Sequence, residues 1–396
     1  MAAVNTAVGG RVFLPRPALD DLIRLLRKQG YTVLGPTLLN SAVSFQPITS
    51  ADQIPKGVRD EQDGGSYRLV PGDPSLSFEY VVGPDGPKTY LFPAQLRLFG
   101  FHVEGDRFVL DEGTPQVPKY AMLSVRSCEL AAIEIQDRVF GIDRPGQFRC
   151  ESETSYPEAR RQALLIAVNC TSPGGTCFCA SWGTGPKATK GFDLAMTELR
   201  GGFVVEVGTQ RGRQLVQSLP VQEPSEAELE LAELKLRHAS QRMGRRLETP
   251  GIRELLEHDL EHPEWDDVAH RCLSCGNCTM VCPTCFCCTV NDVTTFESGR
   301  IARARRWESC YTLQFTYATT GPERNTIRGR YRHWLRHKLG TWWDQFGTSG
   351  CTGCGRCITW CPVGIDLTEE IRRIREDHHQ ARPAGQPPRS VREVKT

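Results

Sequence analysis

The sequence predicts an α+β fold: an N-terminal mixed α/β domain, a helical linker and a C-terminal domain built on two cysteine runs. Three observations support this. Residues 119–169 read as strand, helix and strand, an amphipathic helix follows Ser225, and one cysteine spacing occurs at 272–282 and again at 351–361. A chain of 396 residues is long enough for two or three domains. The predicted boundaries are 1–220 for the α/β domain, 221–265 for the linker, 266–376 for the cysteine-run domain with an insertion at 289–350, and 377–396 for a disordered tail.

The first hundred residues predict one helix and several short strands. Residues 17–30 carry apolar side chains at helical spacing and end at Gly30, and residues 31–34 read as a strand. Between residues 40 and 110, short apolar runs alternate with turn residues, which predicts strands and hairpins, one of them at Pro84-Asp85-Gly86. The runs are SYRLV, LSFEYVVG, TYLFP and FHVEGDRFVL.

A parallel crossover is predicted next. Residues 119–125 and 163–169 are apolar strands, and the helix at 129–140 lies between them. Ligands bind at the carboxyl ends of such strands, and here Cys128 and Cys170 follow the two strand ends. A further strand is expected at 202–208.

Two helical stretches connect this part to the cysteine runs. Ser225 and Glu228 form a capping box, and the helix that follows has one apolar stripe, which packs on its own chain or on a partner protein. The stripe consists of Leu229, Ala232, Leu236, Ala239 and Met243. Residues 252–271 are also helical and lead into Cys272.

The two runs, 272–282 and 351–361, each read C-x2-C-x2-C-x3-C followed by proline. This spacing is typical of two-cluster bacterial ferredoxins, in which the fourth cysteine ligates the other [4Fe–4S] cluster. Structural zinc sites usually use two separated cysteine pairs, so four cysteines within eleven residues, twice, favour iron–sulfur clusters. The predicted ligands are Cys272, Cys275, Cys278 and Cys361 for cluster 1, and Cys351, Cys354, Cys357 and Cys282 for cluster 2.

Four more cysteines form a candidate third site: Cys128, Cys170, Cys177 and Cys179. The predicted topology brings them together at the sheet edge, in a Gly-rich loop whose amides could donate to sulfides. A third iron–sulfur cluster, a zinc site and inert buried thiols are the alternatives. C-x6-C-x-C is not a standard cluster spacing, so the residues alone leave all three open.

The 68 residues between the runs form a long basic insertion. Residues 300–338 contain nine Arg and one Lys against two Glu. This excess of positive charge indicates either a solvated basic surface or a segment that neutralises the anionic clusters or docks an acidic subunit. Interleaved aromatic residues are typical of interfaces; they are Tyr331, Trp334, Trp342 and Trp343. Four further cysteines lie in or near the insertion: Cys285, Cys287, Cys288 and Cys310. One of them could replace Cys282 as a cluster ligand, or they could contribute to a further metal site.

The remaining features predict a cytoplasmic protein without a membrane span. The net charge is +1, so no global field indicates nucleic acid. An odd cysteine total of 17 with ferredoxin spacing indicates a reducing compartment. No signal peptide and no apolar run of membrane-spanning length is evident. Asp366 and Glu369 cap the last predicted helix, 367–376.

These motifs resemble those of a family of dicluster iron–sulfur proteins typified by the beta subunit of cytoplasmic nickel–iron sulfhydrogenases and by the equivalent iron–sulfur subunit of anaerobic sulfite reductases. The stretches concerned are YRL at 67–69, YLFP at 90–93, SVRSCELAAIEIQDRVF at 124–140, VNCTSPGGTCFCASWGTGP at 168–186, PEWDDVAHRCLSCGNCTMVCPTCFC at 263–287, RRWESC at 305–310, RYRHWLRHKL at 330–339 and CTGCGRCITWCPVGID at 351–366.

The resemblance implies an electron-transfer subunit that links a flavin- and NAD(P)-binding partner to a catalytic partner, which carries a nickel–iron site in the hydrogenases. It implies cluster ligation by the eight run cysteines, and the family motif includes counterparts of the four cysteines of the third site. Ser127-Cys128-Glu129 departs from the more usual Pro-Cys-Asp but keeps the cysteine.

Three functions remain open at the level of sequence: the electron carrier of a hydrogenase complex, the equivalent subunit of a sulfite reductase, and a non-catalytic iron–sulfur redox sensor. There is no G-x-G-x-x-G, no P-loop and no catalytic constellation, so no catalytic residue and no cofactor site beyond the clusters is predicted. Arg356 lies inside the second run where the first has Asn277, so we expect cluster 2 to have the more positive potential.

Overall fold

The computed structural model describes residues 4–81, 83–111, 117–142, 155–295 and 300–380, and it confirms the α+β class. The strands are β1 Arg11–Pro15, β2 Thr32–Leu39, β3 Ala42–Pro47, β4 Val58–Asp63, β5 Ser66–Pro71, β6 Gln95–Glu104, β7 Arg107–Asp111, β8 Tyr120–Val125, β9 Leu164–Val168, β10 Leu194–Glu198, β11 Gly202–Val207, β12 Cys288–Thr295, β13 Arg300–Trp307, β14 Tyr317–Ala318 and β15 Gly321–Pro322.

The helices are α1 Ala18–Lys28, α2 Pro87–Leu91, α3 Ser127–Val139, α4 Ser155–Gln162, α5 Gln210–Gln217, α6 Glu226–Gln241, α7 Ile252–His258, α8 Glu264–Arg271, α9 Asn277–Met280, α10 Ile327–Arg336, α11 Trp342–Phe346, α12 Arg356–Thr359 and α13 Leu367–Gln380. A π-helical segment, His337–Thr341, joins α10 to α11. Among the described residues no helix is both long and apolar enough to cross a membrane.

The central sheet has seven strands in the order β1-β11-β10-β9-β8-β2-β3. Strands β10, β9, β8 and β2 pair in parallel, and α3 lies in the connection from β8 to β9, as the sequence predicts. Apolar side chains of α1 and α5 bury one face, and those of α3 and α4 bury the other. The parallel strands end at Val125 and Val168, so the two cysteines that follow them meet at one edge.

A second sheet has the order β12-β13-β6-β7 and is antiparallel throughout. It joins the hairpin of the basic insertion to the predicted hairpin at 101–110. Arg305 of β13 is almost fully buried, with its guanidinium 3.8 Å from the centre of the Phe92 ring. The hairpin therefore packs against the first part of the chain.

Three strand predictions are wrong. The described part of LSFEYVVG is irregular, because buried carboxylates bind its backbone in place of a neighbouring strand: Glu198 accepts from the amides of Ser77 and Phe78. TYLFP lies in and after α2, which begins at Pro87, a residue suited to the first helical turn. Pro84-Asp85-Gly86 is no hairpin, because Asp85 instead accepts bonds from Ser44 and Phe45.

The helices of the linker and the C-terminus follow the sequence closely. The Ser225 capping box is present, and the apolar stripe of α6 packs on its own chain at Phe13 and Val204. Residues 252–271 form two helices, α7 and α8, instead of one. Helix α13 continues to Gln380, so the prediction of disorder is wrong for 377–380; residues 381–396 lie outside the described residues.

The aromatic residues of the insertion form a core and not a surface. Tyr331, Trp334 and Trp342 are buried beside the cysteine runs, and Trp343 alone of the four is exposed, at 41%. The interface prediction therefore fails for three of the four. Tyr331 and Trp334 of α10 pack against α8 and the run cysteines, whereas Trp342 is the first residue of α11.

Candidate metal centres

The first centre collects three cysteines of the first run and one of the second. Cys272, Cys275, Cys278 and Cys361 line one apolar cavity, and the other lining residues include Cys357 of the second run, Tyr311 and Trp334. Burial raises the pKa of the Cys278 thiol, and the neighbouring thiols add to this effect. The thiols are therefore close to one another, with the crossed partner that the C-x2-C-x2-C-x3-C spacing predicts.

The second centre combines three cysteines of the second run with Cys282, the last cysteine of the first run. Burial, followed by the thiols of Cys351, Cys354 and Cys282, raises the pKa of Cys357 well above its usual range. The structure thus places Cys282, the last cysteine of the first run, beside the first three of the second run. Cys282 is buried and the other three cysteines are half-buried. Four neighbouring thiols suit a cluster whose ligands must all be thiolates.

The two runs also share their backbone geometry. The amide of Ser274 donates to the Cys272 sulfur at 3.3 Å, and the amide of Gly353 donates to the Cys351 sulfur at 3.4 Å. Both bonds form within the tight turn of each run. Amide donation of this kind stabilises thiolate charge and raises the potential of a bound cluster.

Gly355 shows why the second run contains glycine after its second cysteine. Its φ is +77°, and a Cβ there would lie 2.5 Å from the carbonyl oxygen of Thr176. The loop that carries Cys177 and Cys179 therefore packs directly on the second run.

The third site is assembled as the topology predicts. Cys128 lies in the first turn of α3, Cys170 follows β9, and Cys177 and Cys179 lie in the adjoining loop. Burial, then the thiols of Cys179 and Cys354, raises the pKa of Cys128. The four thiols are thus neighbours of one another and of a cysteine in the second centre.

Arg126 gives the third site a buried positive charge. Its side chain is 2% exposed and its guanidinium donates to backbone carbonyls of Val168 and Phe78, whereas its Nε has no hydrogen-bond partner. No carboxylate of the described residues forms an ion pair with it, and it lies against Cys170. The carboxylates of Glu129, Glu198 and Asp60 act on this charge from beyond ion-pair distance, and an anionic thiolate-ligated cluster beside Cys170 would add negative charge close to it.

The distances between the cysteine sulfurs show whether a group of thiols could bind a single zinc ion. Tetrahedral zinc with Zn–S bonds of about 2.3 Å brings its sulfurs to within about 3.8 Å of each other. Within the described ranges, no three cysteine sulfurs lie within 4.8 Å of one another; the sole trio of possible ligands that does is Glu264, Asp267 and Glu370, which pairs with Arg271 and Arg373. The thiol groups are therefore spread more widely than the ligands of one tetrahedral zinc ion.

The three sites form a row. The Cys278 thiol of the first centre is close enough to raise the pKa of Cys357 in the second, after burial and nearer thiols. Towards the third site, the Phe178 amide donates to the Gly353 carbonyl at 2.8 Å, and the Cys177 sulfur lies 3.7 Å from the Cys354 carbonyl oxygen. The second centre therefore lies between the other two.

Lys338 is the residue at these sites that sequence reasoning missed. Its side chain is 2% exposed, and Nζ lies 3.3 Å from the sulfurs of both Cys282 and Cys285. It belongs to the π-helical segment, and no ion pair with a described carboxylate balances it. It therefore places a positive charge without a carboxylate partner directly beside the sulfur of Cys282, a predicted ligand of the second centre.

Arg356 contributes less to the positive electrostatic potential at the second centre than its place in the run suggests. Its guanidinium is buried and pairs with the buried Glu129 carboxylate at 2.5 Å. Glu129 belongs to α3, so the pair joins the second run to the helix that carries Cys128. A higher potential of the second centre remains a prediction, with Lys338 as its main source instead of Arg356.

We expect Glu129→Gln to destabilise the protein by about 3–5 kcal/mol, because it leaves the Arg356 charge buried and unpaired. Urea unfolding of the cluster-loaded protein, followed by circular dichroism, measures this. Glu134→Gln is the control: this carboxylate is partly exposed and pairs with Arg138 and Lys190, so its loss should cost about 1 kcal/mol or less. Equal effects of the two variants would contradict the argument.

Many arginines of the insertion are engaged within the chain. Arg303 pairs with Asp292, and Arg328 and Arg332 both pair with Glu261. Arg330 is buried and donates to the Ser274 hydroxyl beside the first centre. These four arginines therefore bond within the chain, and Arg330 does so beside the first centre.

The four extra thiols of the insertion separate into two kinds. Cys288 is exposed, whereas Cys285 and Cys310 are buried and Cys287 is half-buried. The neighbouring Cys282 raises the pKa of Cys285, and the neighbouring Cys310 lowers the pKa of Cys287. Cys282 lies beside the thiols of the second run, and its role as a ligand in place of these four remains a prediction.

Comparison with known proteins supports the assignment of the runs. Residues 271–365 match the family described as a 4Fe-4S dicluster domain, which shows two [4Fe–4S] clusters in this region. The chain is also 28% identical over 352 residues to the protein named Sulfhydrogenase 2 subunit beta from Pyrococcus furiosus, covering 87% of this chain and 92% of that protein. No solved structure matches. The chain is thus an iron–sulfur protein that resembles a hydrogenase beta subunit, as its motifs indicate.

Proposed function

We propose that this chain is the electron-transfer subunit of a cytoplasmic multisubunit oxidoreductase, and that it connects a flavin- and NAD(P)-binding subunit to a nickel–iron hydrogenase catalytic subunit. The observation that carries this proposal is the row of three thiol sites, with the second in contact with both others. Similarity over most of the chain to a sulfhydrogenase beta subunit supports the choice of hydrogenase partners.

The proposed ligands follow the thiol groups. Cys272, Cys275, Cys278 and Cys361 hold cluster 1; Cys351, Cys354, Cys357 and Cys282 hold cluster 2; and Cys128, Cys170, Cys177 and Cys179 hold a third cluster. When bound, [4Fe–4S] clusters supply one-electron transfer. The chain's own residues keep the clusters close together, exclude water and balance their charge through Lys338 and Arg126.

Both ends of the row approach the surface, as a carrier requires. At the first centre Cys275 is exposed, and Leu273 beside it is 62% exposed. At the other end, a cleft of about 480 Å³ is lined by residues adjoining the second and third sites, including Ser127, Trp182 and Cys351. We assign these two surfaces to the two partners, because an electron must enter and leave within a short distance of a cluster.

The test is Cys275→Ser in the assembled complex. It should abolish NAD(P)H-dependent hydrogen production if the first centre lies on the path. Dye-linked hydrogenase activity and NAD(P)H–dye activity, which each need only one partner, should both remain. Normal NAD(P)H-dependent activity in a variant shown by iron analysis to lack cluster 1 would refute the proposed path.

A further inference from the structure

We propose that Tyr331 and Trp334 are hydrogen-bond donors to cluster 1 and that they raise its reduction potential. Both residues belong to α10, outside the two cysteine runs, and the spacing of the cysteines gives them no role. The inference rests on the ligation of cluster 1 proposed above and is independent of the identity of the partner subunits.

Both side chains carry a buried donor group without an acceptor in the protein. Tyr331 is 2% exposed and Trp334 is 4% exposed. Within the described ranges, neither the Tyr331 hydroxyl nor the Trp334 Nε1–H group has a hydrogen-bond partner. A donor that is buried and unpaired costs free energy, and most buried donors in proteins are therefore paired. These two donors indicate an acceptor that is not part of the polypeptide.

Trp265 in the same aromatic group shows the usual arrangement. It is fully buried, and its ring centre lies 6.2 Å from that of Tyr331. Its Nε1–H group donates to the carbonyl oxygen of Asp259 at 2.7 Å. Trp265 is not among the residues that line the cavity of the first centre, whereas Tyr331 and Trp334 are. Of these three rings, the two that lack an acceptor are therefore the two beside the predicted cluster.

The cavity of the first centre lies against these two rings. Tyr331 and Trp334 are three residues apart on α10, which places them on one face of the helix, and their ring centres lie 5.6 Å apart. The Cys278 thiol is among the neighbours that raise the pKa of Tyr331, so the phenolic oxygen lies near a predicted ligand. The cavity is also lined by the four predicted ligands of cluster 1, Cys272, Cys275, Cys278 and Cys361.

The Tyr331 hydroxyl keeps its proton in this site. Burial, followed by the charge of Glu370, raises the pKa of Tyr331 well above its usual range, so the group is a donor at neutral pH. Glu370 does not accept this proton in the structure. Its two carboxylate oxygens instead accept from the Arg271 guanidinium at 3.0 and 3.2 Å. The hydroxyl is therefore available to a sulfur of the cluster.

Hydrogen bonds to the sulfurs of a cluster stabilise its reduced state, because reduction adds negative charge to those sulfurs. The hydroxyl and the indole are neutral, so they raise the potential of cluster 1 without adding net charge. Lys338 acts on the second centre through a full positive charge instead. Raising the potential of cluster 1 brings it closer to that of cluster 2, so that electrons pass between the two in either direction.

Tyr331→Phe and Trp334→Phe test the inference in the full chain with its clusters. Redox titration followed by EPR measures the midpoint potential of cluster 1, whose signal is identified by its loss in Cys275→Ser. We expect each variant to keep the wild-type iron content and to lower the equilibrium constant for reduction of cluster 1 by about threefold to tenfold. This corresponds to about 30–60 mV for a one-electron couple, and the midpoint of cluster 2 should stay unchanged.

Tyr156→Phe is the matched control, because it removes an equally buried hydroxyl that donates to Asp137 at 2.7 Å. It should lower stability and leave both midpoints unchanged. If Tyr331→Phe loses iron, the midpoint of Trp334→Phe decides. Unchanged midpoints in variants with full iron would overturn the inference and leave the proposed function intact. If Cys275→Ser removed neither iron nor an EPR signal, the proposed ligation of cluster 1 would be wrong as well.

Discussion

Replacing Cys177 by serine is expected to remove about four of about twelve iron atoms per chain, because one ligand of the third cluster is lost while the eight run cysteines remain. Cys177 is buried in the loop that packs on the second run, so no other described thiol can take its place without moving that loop. Iron and acid-labile sulfide analysis of protein purified without oxygen measures the loss.

The exposed Cys288 provides the matched control for this variant. Cys288→Ser should keep the wild-type iron content, since Cys288 belongs to none of the three sites. If Cys177→Ser also kept the wild-type content, the third group of thiols would hold no cluster.

Replacing Lys338 by methionine is expected to lower the midpoint potential of cluster 2 by roughly 100 mV. At an effective dielectric constant of about 20, a unit charge contributes about 4 kcal/mol at about 4 Å and about 2 kcal/mol at about 8 Å, and the lower figure corresponds to roughly 100 mV for a one-electron couple. The sign follows from electrostatics: the ammonium stabilises the more negative, reduced state, so its removal makes reduction harder. Redox titration followed by EPR measures it.

Arg303→Met is the control for the Lys338 variant. It also removes one positive charge from the insertion, but Arg303 is partly exposed and pairs with Asp292 on the hairpin. Its midpoint potentials should equal those of the wild type. An unshifted cluster 2 in a Lys338→Met variant that retains its iron would show that the lysine does not tune the potential.

Local patterns in the sequence predict much of the fold. The helix that ends before Gly30, the capping box at Ser225 and the parallel strands before Cys128 and Cys170 all depend on neighbouring residues. The exchange of the fourth cysteine between the runs is also predictable, because spacing alone determines which way that side chain points.

The wrong predictions fall where distant residues decide the structure. Residues 76–81 have the composition of a strand, but Glu198 binds their amides, and nothing local indicates that partner. The charge of Arg356 is balanced by Glu129, which lies 227 residues away in the sequence.

Lys338 is not identifiable from the sequence because its direction depends on the π-helical turn. In a regular continuation of α10 the side chains would keep the helical periodicity, whereas the extra residue of a π turn rotates those that follow. The sequence of the insertion therefore indicates a charged, aromatic surface, although much of it surrounds the first and second centres.

The most direct test of the proposed function is rapid freeze-quench EPR of the assembled complex after mixing with NAD(P)H. If this chain carries the electrons, reduced-cluster signals assigned to it through Cys275→Ser and Cys177→Ser will appear before hydrogen and at a rate no slower than turnover. Hydrogen production at the full rate while these clusters remain oxidised would contradict the proposal.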